Sequence, residues 1–159
     1  RQQGLFMVAG INRNISMESF KNLVKGIFLD FKKERELTDT WRQKLSIKFD
    51  NQRDPVERLS GGNQQKVVIS KWLARDCEVL IFDEPTRGID VGAKDEIYKL
   101  LTRLASEGKS VIMISSELPE VLRLSDRIAV MCEGRLTGIV ENKDADQNSI
   151  MQLATKFRD

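Results

Sequence analysis

Two blocks of this chain carry residue types suited to phosphate chemistry. Leu59-Ser60-Gly61-Gly62-Asn63-Gln64-Gln65-Lys66 is a glycine turn leading into an amphipathic run. A helix starting there would offer unpaired backbone N–H groups and the positive end of its dipole to an anion. Asp83-Glu84-Pro85-Thr86-Arg87-Gly88-Ile89-Asp90 follows the apolar run Val79-Leu80-Ile81-Phe82. A buried strand of that kind delivers two adjacent carboxylates at its end, one placed for a metal ion and the next for an attacking water. The usual cradle for nucleotide phosphates, Gly-x-x-x-x-Gly-Lys-Ser/Thr, does not occur in the sequence.

The elements around these blocks follow from periodicity. After the run Leu5 to Ala9, which fits a short strand or an irregular segment, Ser16 reads as an N-cap. Phe20, Leu23, Val24, Ile27, Phe28 and Phe31 then recur at helical spacing. Leu37, Trp41 and Leu45 mark a second helix from about Glu34 to Leu45, and Asn51 to Pro55 a loop. A helix follows Gly62 with Val68, Ile69, Trp72 and Leu73 as its buried stripe. The next runs from an Asp90 cap through Ala93, Ile97, Leu100, Leu101 and Leu104 to a stop at Gly108. Val111 to Ile114 reads as a second fully apolar strand, and Ser116 as the cap of a short helix with Pro119 in its first turn. Arg127–Met131 and Leu136–Val140 flank Glu133-Gly134 as a hairpin, and a last helix spans about Asn148 to Phe157. Apolar strands alternating with amphipathic helices predict an α/β fold with parallel strands covered on both faces.

Composition narrows the chemistry. The 159 residues are enough for a real core, and 26 Lys+Arg against 24 Asp+Glu, net +2, give no electrostatic reason to expect a nucleic-acid partner. No apolar run approaches the roughly 18 residues of a membrane span, and no secretory leader is legible. Cys77 and Cys132 match no metal spacing and read, with the two Trp residues, as structural. Histidine is absent, so acid–base work falls to carboxylates. A start at Arg1 without an initiator Met suggests a piece of a longer polypeptide.

Taken together, Leu59 to Lys66 resembles the signature motif of ATP-binding cassette (ABC) proteins. Val79 to Glu84 resembles their Walker B strand with its adjacent glutamate, and Pro85 to Asp90 the D-loop. The Asn63 variant, the string Glu84 to Lys94 and Ser115-Ser116-Glu117 are similar to the ATP-binding subunits of bacterial ribose-, galactose- and xylose-type importers, in the later part of the second nucleotide-binding half. The close match covers about Leu59 to Val140. The resemblance implies an incomplete P-loop NTPase core, RecA-like, with parallel strands and flanking helices. Residues 1–58 would form a small α-helical subdomain with a lead-in segment, and 59–159 the C-terminal part of the ATPase core.

The resemblance also implies roles. Asp83 would orient Mg²⁺ through water, and Glu84 would act as general base on the attacking water. Ser60, Gly61, Gly62 and Gln64 would contact the γ-phosphate end of an ATP held by a second nucleotide-binding half in a head-to-tail dimer. Asp90 would lie at the dimer seam while also capping its helix. Ser116 stands where most members carry a histidine, implying an altered or weakened hydrolytic site, because serine matches neither that charge nor that reach. Further implied partners are membrane permease subunits and, indirectly, a sugar-binding protein, with the protein peripheral at the cytoplasmic face of the cell membrane. The family fold also implies a P-loop strand between Val111–Ile114 and Arg127–Met131, so this chain is expected to rearrange its sheet or to self-associate there.

Against this stand plainer readings: a solvated acid for Glu84, a helix cap for Ser60 or Ser116, and a non-enzymatic dimerisation or regulatory module for the chain. An ABC ATPase of DNA repair or of translation shares the motif order. Heptad coils, zinc-type cysteine pairs and basic linkers, expected of those two, do not occur. Without a phosphate cradle the isolated chain is expected to bind MgATP poorly and to hydrolyse none. Isothermal titration calorimetry showing micromolar affinity would refute this.

Overall fold

The computed structural model describes residues 4–25 and 28–157, and every absence noted below concerns those residues. They fall into two units, Arg1–Leu80 with Thr86–Ser110, and Ile81–Pro85 with Val111–Asp159.

The first unit is helical. In α1 (Ile11–Ser16), Ile11 and Ile15 lie one turn apart and are fully buried. The buried Asn14 accepts from the Phe6 N–H at 2.8 Å and donates to the Phe6 carbonyl at 3.1 Å, folding the lead-in segment onto α1. The single helix expected from Ser16 to Phe31 does not form. Met17–Leu23 is a 3-10 turn, and the residues after it make a short antiparallel pair, β1 (Val24–Lys25) and β2 (Phe28–Leu29), with Val24 opposite Leu29. Ser16 caps nothing; its hydroxyl donates to buried Glu34 at 2.8 Å. Phe20, Phe28 and Phe31 are exposed, and Ile27 lies outside the described residues. The physical reason is a rival start signal. Asp30 accepts from the N–H groups of Lys32 and Lys33, opening α2 (Phe31–Leu45), and these bonds, the Lys33 one foremost, hold its carboxyl below the usual range. The chain therefore reverses before Asp30 instead of running helically through it.

Two more helices complete this unit, α3 (Gly61–Leu73) and α4 (Val91–Ser106). Val67, Ile69 and Leu73 are buried from α3, and Ile97, Leu100, Leu101 and Leu104 from α4. Trp72, expected in the buried stripe, is half exposed. The buried neighbour is Lys71, whose ammonium donates to the Gly4 carbonyl at 3.2 Å. Gly108, at φ +90°, stops α4 in the left-handed conformation expected of a helix-ending glycine.

β3 (Val79–Asp83) pairs with β4 (Ser110–Ile114). The Ser110 N–H donates to the Glu78 carbonyl and the Glu84 N–H to the Ile114 carbonyl, both at 2.9 Å, so the strands run parallel. Neither strand is buried on both faces, which corrects the expectation from their continuous apolar runs. Ile81, Ile112 and Ile114 are 66%, 50% and 50% exposed, and nothing among the described residues covers that face.

In the second unit, β5 (Arg127–Cys132) and β6 (Arg135–Glu141) form the expected hairpin, with a bulge at Val130/Met131. Its two-residue turn has positive φ at both Glu133 (48°) and Gly134 (73°), matching the twist of the strands. β4 and β5 belong to separate sheets. α5 (Leu118–Leu124) has Pro119 in its first turn, as expected, but its N-cap is Glu117, not Ser116. α6 (Gln147–Ala154) opens with an Asp146–Ser149 capping box, and Ile150 packs with Ile128, Val130, Leu118, Val121 and Leu153. The Ser149 N–H bond, first among several, holds the Asp146 carboxyl below its ordinary range.

An uncovered face of branched apolar side chains beside an open strand edge favours association. Sedimentation of the chain is expected to show concentration-dependent self-association that Ile81→Lys with Ile112→Lys reduces. A wild type that stays monomeric at high concentration would contradict this.

Candidate phosphate-binding turn and carboxylate strand end

The expected site residues fall into two groups, one in each unit. In the first unit, Ser60 is the N-cap of α3. Its exposed Oγ accepts from the Asn63 N–H at 3.4 Å and from the Asn63 side-chain amide at 2.9 Å. Asn63 is itself held by the Lys48 N–H, which donates to its Oδ1 at 2.9 Å. Gly61 is half-buried and Gly62 buried. No acidic residue occupies the first turn of α3, so no carboxylate of that turn offsets its helix dipole. An anion placed there would meet first-turn N–H groups and a hydroxyl.

Gln64 points elsewhere. Its Nε2 donates to the Leu59 carbonyl at 3.0 Å and to the Glu57 carbonyl at 3.4 Å, bracing the turn rather than projecting from it. Asp90 accepts from the Ala93 N–H at 2.9 Å and so caps α4. The first turns of α3 and α4 touch. A Cβ on Gly62 would lie 2.7 Å from the Ala93 Cβ. One helical turn further along, buried Lys66 is ion-paired with Glu96 and donates to the Ser46 carbonyl at 3.3 Å. This pair was not among the expected functional residues. Lys66 stands three residues before Ile69, on the buried side of α3, a signal that a charged residue there needs a partner.

In the second unit, exposed Asp83 ends β3 and Glu84 follows with φ +48°, a left-handed backbone costing a residue with a side chain about 1–2 kcal/mol. Two bonds hold it there: the Glu84 N–H donates to the Ile114 carbonyl at 2.9 Å, and Oε1 accepts from the Ser116 N–H at 2.9 Å. Glu84 and Ser116 are thus brought together, but through the backbone of Ser116. The local turn is made by Ser115, whose Oγ donates to Glu120 at 3.0 Å and accepts from the Glu117 N–H at 3.0 Å.

Among the described residues no group of three or more Cys, Asp or Glu side chains forms a metal cage. A single strand-end carboxylate fits a magnesium ion that arrives with a nucleotide and takes its other ligands from phosphate and water. It does not fit a resident metal.

This α/β architecture with a capped glycine turn and a strand-end acid pair is that of nucleotide-binding cassettes. The ABC transporter family profile matches residues 3–87, and the chain belongs to that family. It is 56% identical over 154 residues, 96% of its length, to a Burkholderia ambifaria protein named "Putative ribose/galactose/methyl galactoside import ATP-binding protein 3", of which it covers 30%. It is 48% identical over 155 residues to the ribose import ATP-binding protein RbsA of Geobacillus kaustophilus, covering 98% of this chain and 31% of that one. The chain thus spans about a third of the length of these relatives. Among solved structures, a dimeric ATP-binding cassette in a post-hydrolysis state, bound to ADP and phosphate, superposes with a TM-score of 0.75 at 22% identity, over 89% of this chain and 60% of that one. That likeness shows the fold.

Because Glu84 is held by a backbone donor, Ser116→Ala is expected to change unfolding free energy by less than about 0.5 kcal/mol. Hydrogen exchange at the residue 116 amide should stay slow in that variant and speed up in Glu84→Ala. Fast exchange in Ser116→Ala would contradict the assignment.

Proposed function

We propose that this chain is the later part of a nucleotide-binding half in an ATP-driven monosaccharide importer. The observation that carries the reading is the 56% identity over 154 residues to a relative named as a sugar import ATP-binding protein. The substrate class comes from that name and from the RbsA relative. The local geometry fits it in three ways. The α3 turn is electrostatically open to a phosphate, Asp83 is exposed, and Glu84 is fixed in a strained conformation at the strand end.

In this reading the protein acts peripherally at the cytoplasmic face of the cell membrane, with membrane permease subunits and a sugar-binding protein as partners. Ser60 Oγ and the N–H groups of Gly61 and Gly62 bind the γ-phosphate of an ATP held by a second nucleotide-binding half, with Gln64 bracing the turn. Asp90 lies at the seam between the halves. Asp83 holds water around Mg²⁺, which with the nucleotide bound neutralises phosphate charge. Glu84 orients a water and accepts its proton as the oxygen–phosphorus bond forms and ADP leaves. Ser116 supplies Glu84 with a backbone donor and contributes no imidazole, so this half is the weaker hydrolytic site.

The test is complementation. Mixing the chain with a P-loop-bearing nucleotide-binding half is expected to raise ATP turnover above that of the half alone, and Ser60→Arg should abolish the gain. No gain with the wild-type chain, or a gain that survives Ser60→Arg, would refute the reading.

A further inference from the structure

We propose that Gly62 is a glycine because α3 must lie directly against α4, and that the Gly62–Ala93 contact together with the Lys66–Glu96 ion pair locks the Ser60–Gly62 turn and the Asp90 cap into one rigid body. Lys66 and Glu96 are positioning residues, and Gly62 serves the helix contact in addition to its N–H. The proposal rests on the function assigned above, in which both the turn and the cap face a second half.

Gly62 has no positive φ to explain its identity, since it lies within the first turn of α3 and shows only a spatial constraint. A Cβ there would come within 2.7 Å of the Ala93 Cβ. Ala93 has no rotamer with which to retreat, so a side chain at 62 must push the helices apart. Residue 66 lies one turn after 62 on the same face of α3, and residue 96 one turn after 93 on α4. The two contacts are therefore successive rungs of one helix crossing. The upper rung permits close approach, and the lower one fixes rotation. Lys66 is 6% exposed, and its ammonium pairs with Glu96 and donates to the Ser46 carbonyl. Ser60 stands one residue before α3 and Asp90 one before α4, so each is carried by the helix it caps. Rotating α3 against α4 would shift the Ser60–Gly62 turn relative to Asp90 although neither had changed.

Alanine at 62 keeps the backbone N–H and adds only the Cβ, which makes the test specific. Gly62→Ala is expected to lower the melting temperature of the chain by roughly 3–8 °C. In the complementation assay, run where circular dichroism shows every variant folded, it should raise the ATP concentration for half-maximal turnover by about tenfold. Adding Ala93→Gly, which removes the opposing Cβ, should recover most of both losses. Lys66→Met should melt near the wild type yet raise the half-maximal ATP concentration, and Lys66→Arg should restore it. A Gly62→Ala variant that melts like the wild type, a double variant without recovery, or Lys66→Met with unchanged ATP dependence would overturn the proposal. Absence of a turnover gain with the wild-type chain would refute the assigned function instead, and the melting temperatures of the Gly62 and Ala93 variants would still decide the helix contact.

Discussion

Every helix begins with backbone N–H groups that have no partner within it, and how this chain satisfies them decides where an anion is welcome. α2, α4 and α6 begin at Asp30, Asp90 and Asp146, and each carboxylate accepts from its own first turn. α3 begins at Ser60, a neutral cap, and its first turn holds no acid. A phosphate approaching α2, α4 or α6 would meet a negative charge already seated on the dipole. At α3 it would meet a hydroxyl and N–H groups. Among these four side-chain-capped helix starts, the electrostatic distinction comes down to the charge of the capping side chain.

The second group depends on the same demand met at a strand end. β3 stops where Glu84 turns left-handed, a conformation that relaxes unless something holds it. Its N–H makes the last bond to β4 and its carboxylate takes the Ser116 N–H, so the residue is pinned at both ends. The hydroxyl of Ser116 plays no part in this bond. The position of Glu84 is set by backbone donors and acceptors.

How much of this was legible in the sequence depended on whether the signal was local. The Asp90 cap, the Gly108 stop, the Pro119 first turn and the Glu133-Gly134 hairpin were readable because each is fixed by the conformational limits of a few adjacent residues. The stretch from Ser16 to Phe31 misled because apolar residues spaced to suit a helix also suit a 3-10 turn followed by a short hairpin, and Asp30 decided between them. Strand burial departs from the sequence pattern for another reason. A continuous apolar run states that both faces suit cover, and only the packing states which face receives it, as exposed Ile81 beside buried Leu80 illustrates. Within the site, residue types pointed to Ser60, Asp83 and Glu84. The inward turn of Gln64, the backbone donor at 116 and the Lys66–Glu96 pair arise from distances between segments that no local pattern encodes.

The choice of lysine at 66 bears on what the α3–α4 contact is for. A methionine there would bury comparable apolar surface without desolvating a charge, and replacing buried ion pairs by apolar residues is often neutral or stabilising. Glu96, with its side chain 53% exposed, would remain hydrated if its partner were lost. Stability alone therefore gives no reason to keep the pair. An apolar contact, however, tolerates small rotations of one helix on another, because dispersion is nearly indifferent to direction. An ammonium held between the Glu96 carboxylate and the Ser46 carbonyl is more selective, since a large rotation would draw a buried cation away from its two acceptors. The pair constrains the angle between α3 and α4, and in the proposed function that angle sets how the Ser60–Gly62 turn is presented to a second half.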